Sequence, residues 1–132
     1  MSLGMLRMKF WAVAFLTLHL SACNAGPSVK QIDQQALTDL MQSSKAPFII
    51  DVRSEREYTE SHIAGAINIP YSHLVKFLTE VSAEKGDDIV LYCEAGVRSE
   101  QAFDLLHKAG WQNLYHLEGD MRIWRKAGLP TA

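Results

Sequence analysis

The chain has 132 residues, of which 48% are hydrophobic and 21% are charged, and its formal net charge is −2. This length gives room for one small domain, and the composition is ordinary for a soluble fold. A slightly acidic chain offers no broad basic surface, so nucleic acid is not expected as a partner.

The first 22 residues have the layout of a secretory signal peptide. Arg7 and Lys9 precede an apolar run, FWAVAFLTLHL at residues 10–20, and no acidic residue occurs before or within it. The run is short for a membrane span, and small residues follow it. We therefore expect residues 1–22 to be removed on export.

The end of this segment is more specific. The sequence Leu20-Ser21-Ala22-Cys23 resembles the lipobox of bacterial lipoproteins. That resemblance implies that Cys23 becomes lipidated as the first mature residue and anchors the protein in a membrane, on the periplasmic side. Residues 23–28 would then be a lipidated N-terminus and linker, and residues 29–132 the domain. Ordinary cleavage, with an incidental Cys23, is the alternative.

Only two cysteines occur in the chain, Cys23 and Cys93. An oxidising compartment favours a disulfide between them if both thiols are free. If Cys23 carries lipid, however, Cys93 has no partner within the chain. A solitary thiol in such a place is either a buried hydrophobic group or a reactive one.

Along the domain, the hydrophobic pattern predicts five strands that alternate with helices. Strands are predicted at residues 29–32, 48–52, 66–69, 89–92 and 113–117, and helices at 33–44, 54–61, 74–81, 97–109 and 121–129. The run FIIDV is compact and mainly apolar, and IVLY is apolar throughout, which is typical of buried parallel strands. Ser54 and Glu57 form a capping-box pattern for the second helix. The alternation predicts an α/β fold whose mainly parallel sheet has helices on both faces.

The segment CEAGVRS follows the most strand-like run of the chain and precedes a helix. In open α/β sheets the functional crevice lies beyond the carboxyl ends of the strands. Backbone N–H groups in such a loop can converge on an anion, and Arg98 adds a cation. A thiolate of Cys93 or a persulfide would suit this site. The alternative is a buried structural cysteine, a turn at Gly96, and surface pairing of Arg98 with Glu94 or Glu100.

Other chemistries find less support. There is no C-x-x-C pair, no glycine-rich nucleotide loop and no histidine spacing that favours a metal site. His62 and His116 are expected to be structural or surface groups, because a lone histidine is weak evidence for function.

Three motifs in order resemble those of rhodanese-like domains. IIDVRSEREYTESHIAGAINIP at residues 49–70 is similar to their first signature, CEAGVRS falls at their active-site loop, and LEGDMRIWRKAGLP at residues 117–130 is similar to their closing segment. The resemblance implies a five-stranded α/β fold and a sulfurtransferase. Cys93 would be the nucleophile that takes sulfane sulfur from thiosulfate or a persulfide and passes it to a thiol or cyanide. A covalent persulfide is then the intermediate, with no cofactor.

The resemblance also implies that the loop after the nucleophile surrounds that persulfide. The loop residues are Glu94, Ala95, Gly96, Val97, Arg98 and Ser99. Asp51, Arg53, Glu57 and His62 would mainly brace the core and neighbouring loops.

Several residues depart from the family pattern. Glu94 and Ala95 follow Cys93 where the best-known thiosulfate enzymes carry cations, and Glu57 stands at a position that is basic in some two-domain members. Asp120 stands where a second glycine is more common. A carboxylate at the entrance is expected to oppose a dianionic donor such as thiosulfate.

Two alternative functions remain open at this point. One is a cysteine-dependent phosphatase or arsenate reductase, whose C-x5-R loop is one residue longer than the C-x4-R spacing from Cys93 to Arg98. The other is a non-catalytic module that carries sulfur or binds a partner.

Overall fold

The computed structural model describes residues 29–78 and 83–132. The strands are β1 (Lys30–Ile32), β2 (Phe48–Asp51), β3 (Ile67–Asn68), β4 (Ile89–Tyr92) and β5 (Leu114–Leu117); the helices are α1 (Gln34–Met41), α2 (Glu55–Glu60), α3 (Leu74–Leu78), α4 (Val97–Lys108) and α5 (Asp120–Lys126). The expected signal peptide, the linker and Cys23 lie outside the described residues, as does the end of the third predicted helix. Every helix and strand predicted within the described residues is present.

The five strands form one parallel sheet in the order β1-β5-β4-β2-β3. This confirms the predicted fold class. The run IVLY is the central strand, and all four of its residues are buried. Its neighbours are β2, in which Phe48 lies opposite Ile89, and β5, in which Leu114 lies opposite Ile89. A strand covered on both faces has no polar side, which explains its continuous apolar sequence.

Helices cover both faces of the sheet, and the alternation of side chains along β4 supplies both layers of core. Ile89 and Leu91 point to the cluster that contains Phe103 and Leu106 of α4. Val90 and Tyr92 point to a second cluster, with Leu37 of α1 and Met121 and Trp124 of α5. Because successive strand residues face opposite sides, one short strand anchors both cores.

The carboxyl ends of β2, β4 and β5 lie side by side, so the segments that follow them meet at one edge of the sheet. The first N–H groups of α5 lie against the loop after β4, where Met121 donates to the carbonyl of Cys93 at 3.0 Å and Arg122 to that of Glu94 at 3.2 Å. The end of the central strand is thereby fixed by the last helix. None of the helices in the described ranges has the length and hydrophobicity needed to cross a membrane.

Candidate active site

Cys93 is the first residue after the central strand, and only 2% of its surface is exposed. Its Sγ atom lies at the N-terminal end of α4, a helix of 12 residues. The positive end of a helix favours a negative charge there. The structure therefore places the thiol as the sequence predicted, at the carboxyl edge of the sheet and below a helix start.

Gly96 shapes the turn that brings the loop back over the sulfur. The Gly96 N–H donates to Sγ of Cys93 at 3.1 Å. The φ angle of Gly96 is 112°, a region that favours glycine, and a Cβ atom here would lie 3.5 Å from Oδ2 of Asp120. Ala95 and Val97 are exposed on either side of it. The backbone thus supplies a direct donor to the sulfur.

Glu94 lies between two arginines. Its carboxylate is 3.6 Å from Nη1 of Arg53 and also forms an ion pair with Nη2 of Arg125. The Arg53 side chain is almost fully buried, whereas Glu94 and Arg125 are partly exposed. The carboxylate that the sequence places at the entrance is therefore paired with Arg125, and it also lies within ion-pair distance of Arg53, whose closer partner is Asp51.

Arg98 is held by a partner that the sequence analysis did not consider. Its two terminal nitrogens donate to the two carboxylate oxygens of Glu57 at 2.7 and 2.8 Å. The expected alternative, a surface pair with Glu94 or Glu100, is wrong. Hydrogen bonds from Arg98 hold the pKa of Glu57 well below its usual value, and Glu57 raises the pKa of Arg98 in turn. Glu57 also accepts the N–H of Ser54 at 3.0 Å and so completes the predicted capping box.

Asp51 and Arg53 form a buried ion pair at the end of β2, with 2.6 Å between Oδ2 and Nη2. Arg53 also donates to the carbonyl of Ser61 at 2.7 Å. These bonds join the end of β2 to the end of α2 and to Glu94, which is the bracing role that the resemblance implied. His62 stacks on Tyr58, with 3.6 Å between ring centroids, and is structural as expected.

His116 and Asp120 are the residues near Cys93 whose position sequence reasoning missed. His116 lies 6% exposed on β5, and its Nε2 atom is 2.9 Å from Oδ2 of Asp120 and 2.9 Å from Oγ of Ser99. Asp120 also accepts the Cys93 N–H at 2.7 Å. The departure from glycine at Asp120 was the signal that could have found this cluster. No group of three potential metal ligands occurs in residues 29–78 and 83–132.

The family model for the rhodanese-like domain matches residues 33–127. The chain belongs to the rhodanese-like domain family. Proteins named as sulfurtransferases are among those similar to this chain. Thiosulfate sulfurtransferase 16, chloroplastic, of Arabidopsis thaliana is 40% identical over 93 residues, covering 62% of this chain and 77% of that protein. A sulfurtransferase of Allochromatium vinosum is 29% identical over 103 residues, covering 77% of this chain and 94% of that one.

The solved structures agree with this family. The rhodanese-like domain of the Anabaena protein Alr3790, determined in solution by NMR, superimposes with a TM-score of 0.71 at 32% identity. The match covers 80% of each chain. The rhodanese-like fold inferred from three motifs is therefore confirmed, and the roles of individual site residues are taken up below as proposals.

Proposed function

We propose that this protein is a sulfurtransferase in which Cys93 carries the transferred sulfur as a persulfide. The observation that supports this most directly is the buried Sγ atom at the head of α4, which accepts the Gly96 N–H at 3.1 Å. A preorganised donor and the positive end of a helix both stabilise an anionic sulfur, as thiolate or as persulfide. Family membership and the sulfurtransferases among the relatives support the same reaction class.

In the first step, the Cys93 thiolate attacks the outer sulfur of the donor. With thiosulfate, a bond forms between Sγ and that sulfur while the bond to the sulfite sulfur breaks, and sulfite leaves with the electron pair. In the second step a thiol, as thiolate, or cyanide attacks the outer sulfur of the persulfide, and the Cys93 thiolate is regenerated. The covalent intermediate divides one transfer into two displacements.

The charges around the loop favour a donor of low charge. Glu94 is paired with Arg125 and lies near Arg53, and Arg98 is bound at both terminal nitrogens by Glu57. A dianion such as thiosulfate therefore meets loop charges that are already paired. A small persulfide, which carries one charge or none, needs no extra cation. We propose a low-molecular-weight persulfide as the better donor.

The experiment is intact-mass analysis of the domain, residues 29–132 with an added start residue, after exposure to thiosulfate or to a small persulfide. The expected result is a mass gain of one sulfur atom, faster with the persulfide, that cyanide removes as thiocyanate. Cys93→Ser serves as the matched control and should gain no sulfur while keeping its melting temperature. A wild-type domain that gains no sulfur from either donor would overturn the proposal, and one that gains sulfur but gives it to no acceptor would be a carrier instead.

A further inference from the structure

Three polar side chains from three different elements meet in the core behind the Cys93 loop. They are Ser99 from the first turn of α4, His116 from β5 and Asp120 from the start of α5. Their exposed fractions are 0%, 6% and 1%, so the cluster is shielded from solvent. Burying a polar group costs free energy unless the group forms hydrogen bonds. These three side chains are hydrogen-bonded to one another.

The cluster contacts Cys93 at both its backbone and its sulfur. Oδ1 of Asp120 accepts the Cys93 N–H at 2.7 Å, and Oγ of Ser99 lies 3.5 Å from Sγ. Within the cluster, Oγ of Ser99 is 2.9 Å from Oδ1 of Asp120 and 2.9 Å from Nε2 of His116. The charged groups of the cluster, His116 and Asp120, are therefore separated from the sulfur of Cys93 by one hydroxyl group, that of Ser99.

Asp120 has a backbone conformation that glycine adopts at lower cost, so its side chain must contribute interactions that offset this cost. Its φ angle is 54°, and it is the one non-glycine residue with a positive φ in the described part of the chain. Such a conformation is unfavourable for a residue with a side chain, and glycine adopts it freely. The strain is offset here by the bonds that the carboxylate makes to Cys93, Ser99 and His116.

Proton counting defines what each group can donate. An ionised Asp120 only accepts, so Nε2 of His116 carries a proton and donates to Oδ2 at 2.9 Å. The single proton of Ser99 has three acceptors in reach: Oδ1 of Asp120, the carbonyl of Gly96 at 2.9 Å and Sγ of Cys93. Hydrogen bonds to ionised acceptors are the stronger ones. An anionic sulfur therefore competes for the Ser99 proton while His116 continues to donate to Asp120.

Charge balance is the second consequence. The hydrogen bond to Asp120 raises the pKa of His116, and Glu100 on α4 acts in the same direction. Burial alone would raise the pKa of Asp120, but the hydrogen bonds from His116 and the Cys93 N–H lower it. Asp120 from α5 and Glu100 from α4 are the acidic groups that act on His116, and the Cys93 thiol lies beyond Ser99. The ionised pair is neutral overall, whereas Asp120 beside a neutral imidazole leaves a net negative charge.

We propose that His116, Asp120 and Ser99 are positioning residues for the sulfur of Cys93. Protonated His116 cancels the charge of Asp120, which can then hold the Cys93 N–H without opposing an anionic sulfur, and Ser99 donates its hydroxyl proton to that sulfur. The inference rests on the proposed function in one respect only, namely that Cys93 reacts as an anion.

The test is the rate at which iodoacetamide, a neutral reagent, alkylates Cys93 as a function of pH. His116→Gln keeps an N–H donor but removes the positive charge. The pH of half-maximal alkylation should rise by about one to two units, as a carboxylate about 6 Å away does in an effective dielectric constant of about 20. Adding Asp120→Asn removes the opposing charge and keeps an acceptor for the Cys93 N–H. The double variant should return to within about half a unit of the wild type.

An unchanged midpoint in His116→Gln would contradict the inference, and so would a double variant displaced as far as the single one. If the cluster served only to pack the core, adding Asp120→Asn should displace the double variant further from the wild type than His116→Gln alone. Should the variants not fold, NMR titration of His116 replaces them and compares the wild type with Cys93→Ser. Because the coupling of two charges is reciprocal, His116 should titrate at higher pH when the thiolate is present. Equal midpoints would overturn the inference.

Neither measurement uses sulfur transfer. A domain that takes up no sulfur but shows the expected alkylation shift removes the proposed function and leaves the cluster's role intact. A domain that transfers sulfur, but whose alkylation midpoint does not shift in His116→Gln, supports the proposed function and contradicts the inference about the cluster.

Discussion

Replacing Glu57 with glutamine should release Arg98 from its bidentate partner and change the donor preference of the site. Glu57 holds both terminal nitrogens of Arg98 at 2.7 and 2.8 Å, and the two side chains are 29% and 35% exposed. The amide of glutamine still offers one oxygen for the Ser54 N–H, so the helix cap is retained in part. The variant therefore changes mainly the charge at the loop.

The magnitude follows from Coulomb's law. A full charge on Arg98 and a dianion about 7 Å away attract each other by about 1 kcal/mol at a near-aqueous dielectric constant. This corresponds to an increase in kcat/KM for thiosulfate of about fivefold. Loss of the partly exposed ion pair should cost about 0.5–1 kcal/mol of unfolding free energy. High salt should reduce the kinetic gain, because charges at a loop mouth are screened.

The assay measures kcat/KM for thiosulfate and for a small persulfide at low and high salt, with cyanide as acceptor. Glu60→Gln is the matched control, since Glu60 lies on the same helix and pairs with the exposed Arg56 instead. We expect a gain for thiosulfate alone, in Glu57→Gln alone. An unchanged or lower kcat/KM for thiosulfate in a folded Glu57→Gln domain would refute the reasoning. Arg98 would then act on the donor only while it is paired with Glu57.

Three further outcomes are expected. Gly119→Ala should lower the free energy of unfolding by more than about 2 kcal/mol in chemical denaturation, because a Cβ atom would lie 2.2 Å from Cγ1 of Ile123 at a φ of 70°; wild-type stability would contradict this. The pKa of Glu57 is held below its usual 4.5, so the stability that its ionised form contributes is complete above that pH and is lost on further acidification. The stability difference between wild type and Glu57→Gln should accordingly shrink below pH 4.5, and a constant difference would argue against the ion pair. Metabolic labelling with a fatty acid should mark the full chain and leave Cys23→Ser unlabelled; an unlabelled wild type would exclude lipidation.

Local signals in the sequence were sufficient for the helices, the strands and the thiol. The run IVLY predicted a buried strand because no polar side chain interrupts it, and Ser54 with Glu57 predicted a cap because both partners lie within one turn. The position of Cys93 followed from the strand order that such elements adopt. These features depend on neighbouring residues, so the sequence displays them directly.

Contacts across space could not be predicted in the same way. Arg98 and Glu57 are 41 positions apart, and their pairing depends on how α2 lies against the loop. His116 and Asp120 are four positions apart but lie in different elements, a strand and the helix that follows it. Nothing in the sequence around His116 indicated that it lies beside the thiol. Its position there depends on the path of the backbone between β5 and α5.

The pairing of β1 with β5 has a consequence for the order in which the molecule forms. The earliest-made strand of the described chain lies beside the last one, so the sheet closes only when almost the entire domain has left the ribosome. The loop of Cys93 depends on the same late segment, because Asp120, Met121 and Arg122 supply its bonds. At Cys93, a nascent chain that ends before Asp120 therefore carries an ordinary, accessible thiol. Stalled chains of increasing length that carry Cys23→Ser should lose reactivity toward a bulky maleimide only once α5 emerges.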